Sequence, residues 1–159
     1  MPGELSPSAQ KVQDALKDKG YNYRVQELPN STRTAAEAAE AIGCQVDQIV
    51  KSLIFRARQS GKAVLVAASG SNRVNEKGLA ARLGEPIERA SPDFVRQQTG
   101  YAIGGVPPLG HANRTLTFVD EDLLQYERIY AAAGTPFAIF GLTPADLVKM
   151  TGGEVVNIK

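Results

Sequence analysis

The sequence predicts a single α+β domain over residues 1–159, built on a mixed, largely antiparallel sheet. Three observations carry this reading. Strand-like and helix-like runs follow one another without a regular βα alternation, which disfavours a doubly wound sheet. Val50 to Ala57 and Ala63 to Ala68 are strand-like runs joined by Arg58-Gln59-Ser60-Gly61-Lys62, the pattern of an antiparallel hairpin. A chain of 159 residues, 43% of them hydrophobic, is long enough for one sizeable core, and no repeat, low-complexity tract or linker divides it.

In chain order, Ser6-Pro7 opens a helix as N-cap and first helical residue, with Val12 and Leu16 on one face and Gly20 as the stop. Tyr21 to Leu28 alternates loosely, as a strand does, until Pro29-Asn30-Ser31 breaks it. Thr34 with Glu37 forms a capping box for an alanine-rich helix that ends at Gly43. After the hairpin, Asn75 caps a helix in which Leu79 and Leu83 stack before Gly84, and Ser91-Pro92 opens another, closed by Gly100. Tyr101 to Ile103 reads as a short strand running into a Gly/Pro loop. Leu116 to Val119, Arg128 to Ala132 and Phe137 to Gly141 read as further strands. Thr143-Pro144 starts the last helix, near Gly152 it stops, and Val155 to Ile158 makes a final strand.

The net charge of +1 makes no global case for a nucleic acid partner, and nothing in the chain calls for DNA. The distribution is more informative. Lys51, Arg56, Arg58, Lys62, Arg73, Lys77 and Arg82 face one acid, Glu76, within residues 51–82, so that segment carries +6 and the remainder −5. Such asymmetry makes either a positive face for a polyanion or a set of solvated surface charges. No apolar run approaches the length of a membrane span, and Met1 to Ser6 shows no secretory signal. The expectation is a cytoplasmic protein with no membrane partner. One cysteine and one histidine leave no disulfide and no zinc ligand set, so neither metal nor cofactor is expected.

The chemistry-bearing residues are few. Lys51 lies within Val50-Lys51-Ser52-Leu53-Ile54-Phe55, where strand alternation places it on the face of Leu53 and Phe55. An ammonium there is either a cleft ligand with a lowered pKa or a lysine of an edge strand reaching water. Gly104-Gly105-Val106-Pro107-Pro108-Leu109-Gly110 has three glycines and two prolines in seven residues, too many for regular structure. Its main chain can approach a carbonyl or a ribose closely, or it is a tight structural turn, and it has no nucleotide-loop spacing. Ser69-Gly70-Ser71-Asn72 can line a cleft with small polar groups or simply turn the chain. Any Ser-His-Asp triad must use His111, and Ser69 is no nucleophile elbow. Cys44 reads as a small buried hydrophobe, and Asp120-Glu121-Asp122 as a helix start. The residues by themselves show no self-sufficient catalytic apparatus.

Several blocks together resemble the YbaK and prolyl-tRNA-synthetase-associated editing superfamily, which includes the ProX-like deacylases. They are Glu37-Ala38-Ala39, Val50-Lys51-Ser52-Leu53, Gly100 through Gly110, Ile129 through Gly134, and Thr143-Pro144-Ala145-Asp146-Leu147, in order from about residue 8 to 158. The Lys51 block with the downstream GxxxP pattern, Gly104 to Pro108, is the specific part. The resemblance implies a curved sheet flanked by helices and hydrolysis of mischarged aminoacyl-tRNA, typically tRNA for proline carrying Ala, Cys, Ser or Thr. Lys51 would hold the terminal nucleotide, Gly104, Gly105 and Pro108 would place the carbonyl, and a substrate group would assist without a protein nucleophile. Ser52, Ser69, Val106, Pro107 and His111 are the expected substrate-binding neighbours. The implied partners are the tRNA acceptor end and prolyl-tRNA synthetase. The other function class is a non-catalytic module that binds aminoacyl-tRNA or a synthetase through the same cleft. Thr135-Pro136-Phe137-Ala138 departs from relatives that carry a polar residue or histidine there, which leaves the accepted amino acid open.

Overall fold

A computed structural model describes residues 5–159. The signal reading at Met1 to Glu4 therefore lies outside the described residues. Among the described residues five helices form where capping signals predict them: α1 (Pro7–Asp18), α2 (Ala35–Ile42), α3 (Glu76–Leu83), α4 (Pro92–Thr99) and α5 (Pro144–Thr151). The caps account for this. Thr34, Asn75, Ser91 and Thr143 each accept a main-chain N–H in the first turn, and Thr34 with Glu37 completes the capping box. Ser6 takes the N-cap position of α1, but its Oγ is buried with no partner among the described residues, and Pro7 starts that helix without it.

The strands are β1 (Gln26–Glu27), β2 (Ile49–Ala57), β3 (Ala63–Ser69), β4 (Ile87–Arg89), β5 (Leu116–Asp120), β6 (Ile129–Ala132), β7 (Ala138–Leu142) and β8 (Glu154–Val156). They form one eight-stranded sheet in the order β1-β7-β6-β2-β3-β5-β8, with β4 against the far end of β2. Four pairings are antiparallel and three (β2–β6, β3–β5, β5–β8) are parallel, so the sheet is mixed. The predicted hairpin is β2–β3, in register from Val50 opposite Ser69 to Arg56 opposite Ala63.

Three local expectations change. Of Tyr21 to Leu28 only Gln26 and Glu27 pair, because Tyr21 and Tyr23 instead pack on the core beside α1. Tyr101 to Ile103 is a turn, with the Tyr101 ring buried and its N–H held by Thr99 Oγ1. Ile87 to Arg89, unmarked by any local pattern, is a strand because β2 offers it an edge.

The sheet is covered on both faces. Val50, Ile54, Leu65, Ala67, Val119 and Phe140 meet α1, α4 and α5 on one side. Phe55, Val64, Val66, Ala68 and Phe118 meet Leu79 of α3 on the other, while α2 packs Ala38 and Ala39 over Ile49. Two-sided cover explains why β3 is buried throughout and reads as a continuous apolar run.

Candidate functional site

β2 is a central strand, flanked by β3 and β6, so Lys51 is not a lysine of a free edge. It shares its face with Leu53 and Phe55 as alternation requires, and it is half-buried. Its Nζ donates to the Asn72 main-chain carbonyl at 2.7 Å. An ammonium has three donors, so two remain for a ligand. Burial, then Arg73 and Arg89, push the Lys51 pKa below its ordinary value, while Asp120 acts in the opposite sense.

The carbonyl that receives Lys51 is itself fixed. Asp120, fully buried at the end of β5, accepts from Ser69 N–H at 2.9 Å, Asn72 Nδ2 at 2.8 Å and Asp122 N–H at 3.0 Å. Asn72 Nδ2 also reaches Asp122 Oδ2 at 2.7 Å, and Lys159 Nζ pairs with that same carboxylate at 2.9 Å. The Ser69 hydroxyl donates to the Asp47 carbonyl at 2.7 Å. Gly70 is required because a Cβ there would lie 2.0 Å from the Val46 carbonyl oxygen. The Ser69–Asn72 turn is thus a fastening for Lys51, and Ser69 serves it from within the core.

A cleft of about 520 Å³ opens beside this fastening, lined by Lys51, Ser52, Gly104, Val106, Tyr130 and Arg33 together with the first turn of α2. The Gly/Pro loop forms one wall, and its main chain is pinned. Gly105 N–H donates to the Ala102 carbonyl at 3.0 Å, and the Gly105 carbonyl accepts from Gly134 N–H at 2.8 Å. A Cβ on Gly105 would lie 2.9 Å from the Thr135 N and Cα, so only glycine allows the two turns to meet. Among the described residues, the N–H groups of Gly104 and Val106 have no protein acceptor, whereas the prolines have none to offer. Gly104 and Val106 both line the cleft, so this wall carries two N–H groups without a protein acceptor among the described residues.

The remaining predicted residues stand behind the wall. Gly105 is buried against Gly134, and Pro107 and Pro108 are buried outside the cleft lining. His111 donates from Nε2 to the Pro107 carbonyl at 2.6 Å and lies, with Pro108, on a different cavity of about 170 Å³ beside Met150. Its burial lowers its pKa, partly offset by the Pro107 bond. Cys44 packs beside Ala38, Ala39 and Ile49, and its thiol pKa is raised by burial, which suits a small hydrophobe. Among the described residues no three His, Cys, Asp or Glu side chains cluster as a metal site.

Local reading missed Asp120 as the holder of the turn. It does cap the short 3-10 turn Glu121–Gln125, as a helix start would, but its decisive partners are 48 and 51 residues away. Arg33, whose side chain packs against Gly104, also had no local signal.

The family model for the aminoacyl-tRNA editing domain matches residues 29–150, which include the cleft, its lysine and its loop. The chain belongs to the aminoacyl-tRNA editing domain family. Membership implies action at the aminoacyl end of tRNA, with deacylation of mischarged tRNA as the activity class. A solved structure of a candidate trans-editing enzyme for prolyl-tRNA synthetase is 48% identical, with a TM-score of 0.93 over 98% of this chain and 99% of that one. YwhH of Bacillus subtilis strain 168, which has no assigned function, is 32% identical over 131 residues, 82% of this chain and 83% of its own length. EbsC of Enterococcus faecalis, a candidate Cys-tRNA(Pro)/Cys-tRNA(Cys) deacylase, is 28% identical over 79% of this chain and 76% of its own. The proline–tRNA ligase of Thermosipho melanesiensis is 32% identical over 107 residues, 67% of this chain and 18% of the ligase. Among the described residues no helix is long and apolar enough to cross a membrane.

Proposed function

We propose that this protein is a trans-acting deacylase that removes a wrongly attached small amino acid from tRNA, with tRNA for proline as the principal substrate. One observation carries the reading. Lys51, with two donors beyond the one given to Asn72, lines the same cleft as the unpaired N–H groups of Gly104 and Val106. That set matches an aminoacyl ester on a terminal adenosine. The ammonium takes the phosphate or ribose oxygen of the nucleotide, and the loop donors take the acyl carbonyl oxygen.

Hydrolysis then needs little else. Water oxygen adds to the acyl carbon, the negative charge gathers on the carbonyl oxygen held by the loop, and the acyl carbon–oxygen bond breaks. The ribose oxygen leaves with a proton originating from that water, and the adjacent ribose hydroxyl relays it. The products are free amino acid and uncharged tRNA. Orientation and carbonyl polarisation supply the rate. The names of the trans-editing structure and of EbsC support tRNA for proline. So does selection logic: a pocket built for proline rejects a smaller residue by only about 1–3 kcal/mol per methylene, which a second, size-limited site corrects.

The deciding experiment is multiple-turnover release of amino acid from tRNA for proline charged with Ala, Cys, Ser, Thr or Pro. Release of one or more of the first four with sparing of Pro is expected. Tight binding of every charged tRNA without turnover would replace this reading with a binding module.

A further inference from the structure

β2 carries a short interruption in its pairing. On the edge opposite β3, it pairs with β6 through Ile49 and Val50 only, and with β4 through Phe55 to Ala57 only. Ala90 N–H adds one bond to the Ile54 carbonyl at 3.2 Å. Main-chain groups alternate along a strand, so the edge facing β6 and β4 carries those of Val50, Ser52, Ile54 and Arg56. Between the two partners, the Ser52 N–H, the Ser52 carbonyl and the Ile54 N–H meet no partner among the described residues.

Two further observations fall on the same point. Ser52 Oγ is buried with no hydrogen-bond partner among the described residues, a state that native structures rarely leave unexplained. Ser52 also lines both the main cleft and an adjoining cavity of about 130 Å³, whose walls include Ile54, Phe55, Val95 and Ile103. A gap in a sheet that opens onto a cleft on one side and a small, mainly apolar chamber on the other has the form of a receptor for one residue.

We infer that the gap beside Ser52 is the seat of the substrate's aminoacyl group, which pairs with β2 as a single strand residue would. In an antiparallel hydrogen-bonded pair, one residue gives and receives a main-chain bond with the residue opposite. An α-aminoacyl ester can do the same: its α-ammonium donates to the Ser52 carbonyl, and its acyl oxygen accepts from Ser52 N–H. The second lone pair of that oxygen faces the loop donors. The 130 Å³ chamber takes a small side chain. This inference rests on the deacylase reading for its ligand. It adds that the amino acid is recognised by β2 main chain, so that a blocked amino group is discriminated against whatever the side chain.

The test is a ¹⁵N–¹H titration of the full chain with 3′-(L-alanylamino)-3′-deoxyadenosine, a hydrolysis-resistant aminoacyl nucleoside. The amides of Ser52 and Ile54 should move to saturation with the probe. The N-acetyl form, which has no ammonium, should bind at least about 10-fold more weakly, the size of one charge-assisted hydrogen bond. Plain 3′-amino-3′-deoxyadenosine should leave both amides unmoved. Ser52→Pro, which removes an N–H with no partner among the described residues and puts the proline ring in its place, should lose the Ile54 response if it folds; the wild-type titration decides the matter if it does not. A saturable titration in which Ser52 and Ile54 stay still, equal binding of the acetylated form, or no binding at all would overturn the inference. Wild-type deacylation is measured separately. Turnover with a silent Ser52 removes the inference alone, whereas a responsive Ser52 without turnover removes the deacylase reading alone.

Discussion

Lys51 concentrates the chemistry at the residue scale, because a half-buried ammonium fastened to one carbonyl is already oriented when a ligand arrives. Lys51→Ala should lower single-turnover deacylation by at least about 100-fold, the range for removing one preorganised donor. The variant should stay folded, since it removes a charge that burial disfavours. Lys51→Arg should lose most activity as well, because a planar fork cannot replace a compact point charge at the Asn72 carbonyl. Near-full activity in a folded Lys51→Ala would move the site elsewhere. His111 makes a separate prediction. Its folded pKa lies below the ordinary 6.5, so the unfolded chain binds its proton first as pH falls. Stability should therefore rise with pH through that window and be lost toward the folded value. His111→Gln should flatten the slope of unfolding temperature with pH below the ordinary histidine value. An unchanged slope would show that His111 does not govern this loop.

At the scale of elements, two turns decide whether the cleft exists. The Ser69–Asn72 turn hangs on Asp120, which receives three N–H bonds in a dry setting. Asp120→Ala leaves the Ser69 and Asp122 N–H groups without that acceptor and should cost about 2–4 kcal/mol, read from denaturant unfolding. Its surviving folded fraction should deacylate poorly, because the Asn72 carbonyl no longer waits at a fixed place for Lys51. Loss of stability with full specific activity would separate the turn from the site. The Gly104–Pro108 loop leans on Gly134 in the same manner. Gly105→Ala places a methyl 2.9 Å from Thr135 main chain, so it should displace the loop donors and remove activity even where the fold persists.

For the whole molecule, the basic segment divides once folded. Arg56 and Arg58 share Glu88 at 3.7 Å each, and Arg82 pairs with Glu154, carboxylates that lie outside the segment. Lys62, Arg73 and Lys77 form no such pair among the described residues. A Lys62→Ala, Arg73→Ala, Lys77→Ala variant should therefore weaken tRNA binding and reduce the salt slope by about one for each phosphate it no longer neutralises. Turnover at saturating tRNA should change much less. An unaltered salt slope would assign all three to solvated surface. With one cysteine and one histidine in 159 residues, activity should also survive prolonged chelation; its loss and recovery with zinc alone would contradict the mechanism.

What the chain determined by itself is local. Helix starts at Thr34, Asn75, Ser91 and Thr143 were legible because a cap and the N–H it satisfies are three residues apart. The β2–β3 hairpin was legible because its turn is contiguous, and the Lys51 block with the GxxxP loop marked the family. Tertiary structure decided the rest. It made β2 central rather than an edge, set β4 against it, took Ser69 and His111 away from the cleft to support its walls, and gave Lys51 its place through an aspartate 69 positions away in sequence. These are pairings between groups distant along the chain, and no local pattern of residue types encodes which distant donor a buried acceptor will meet.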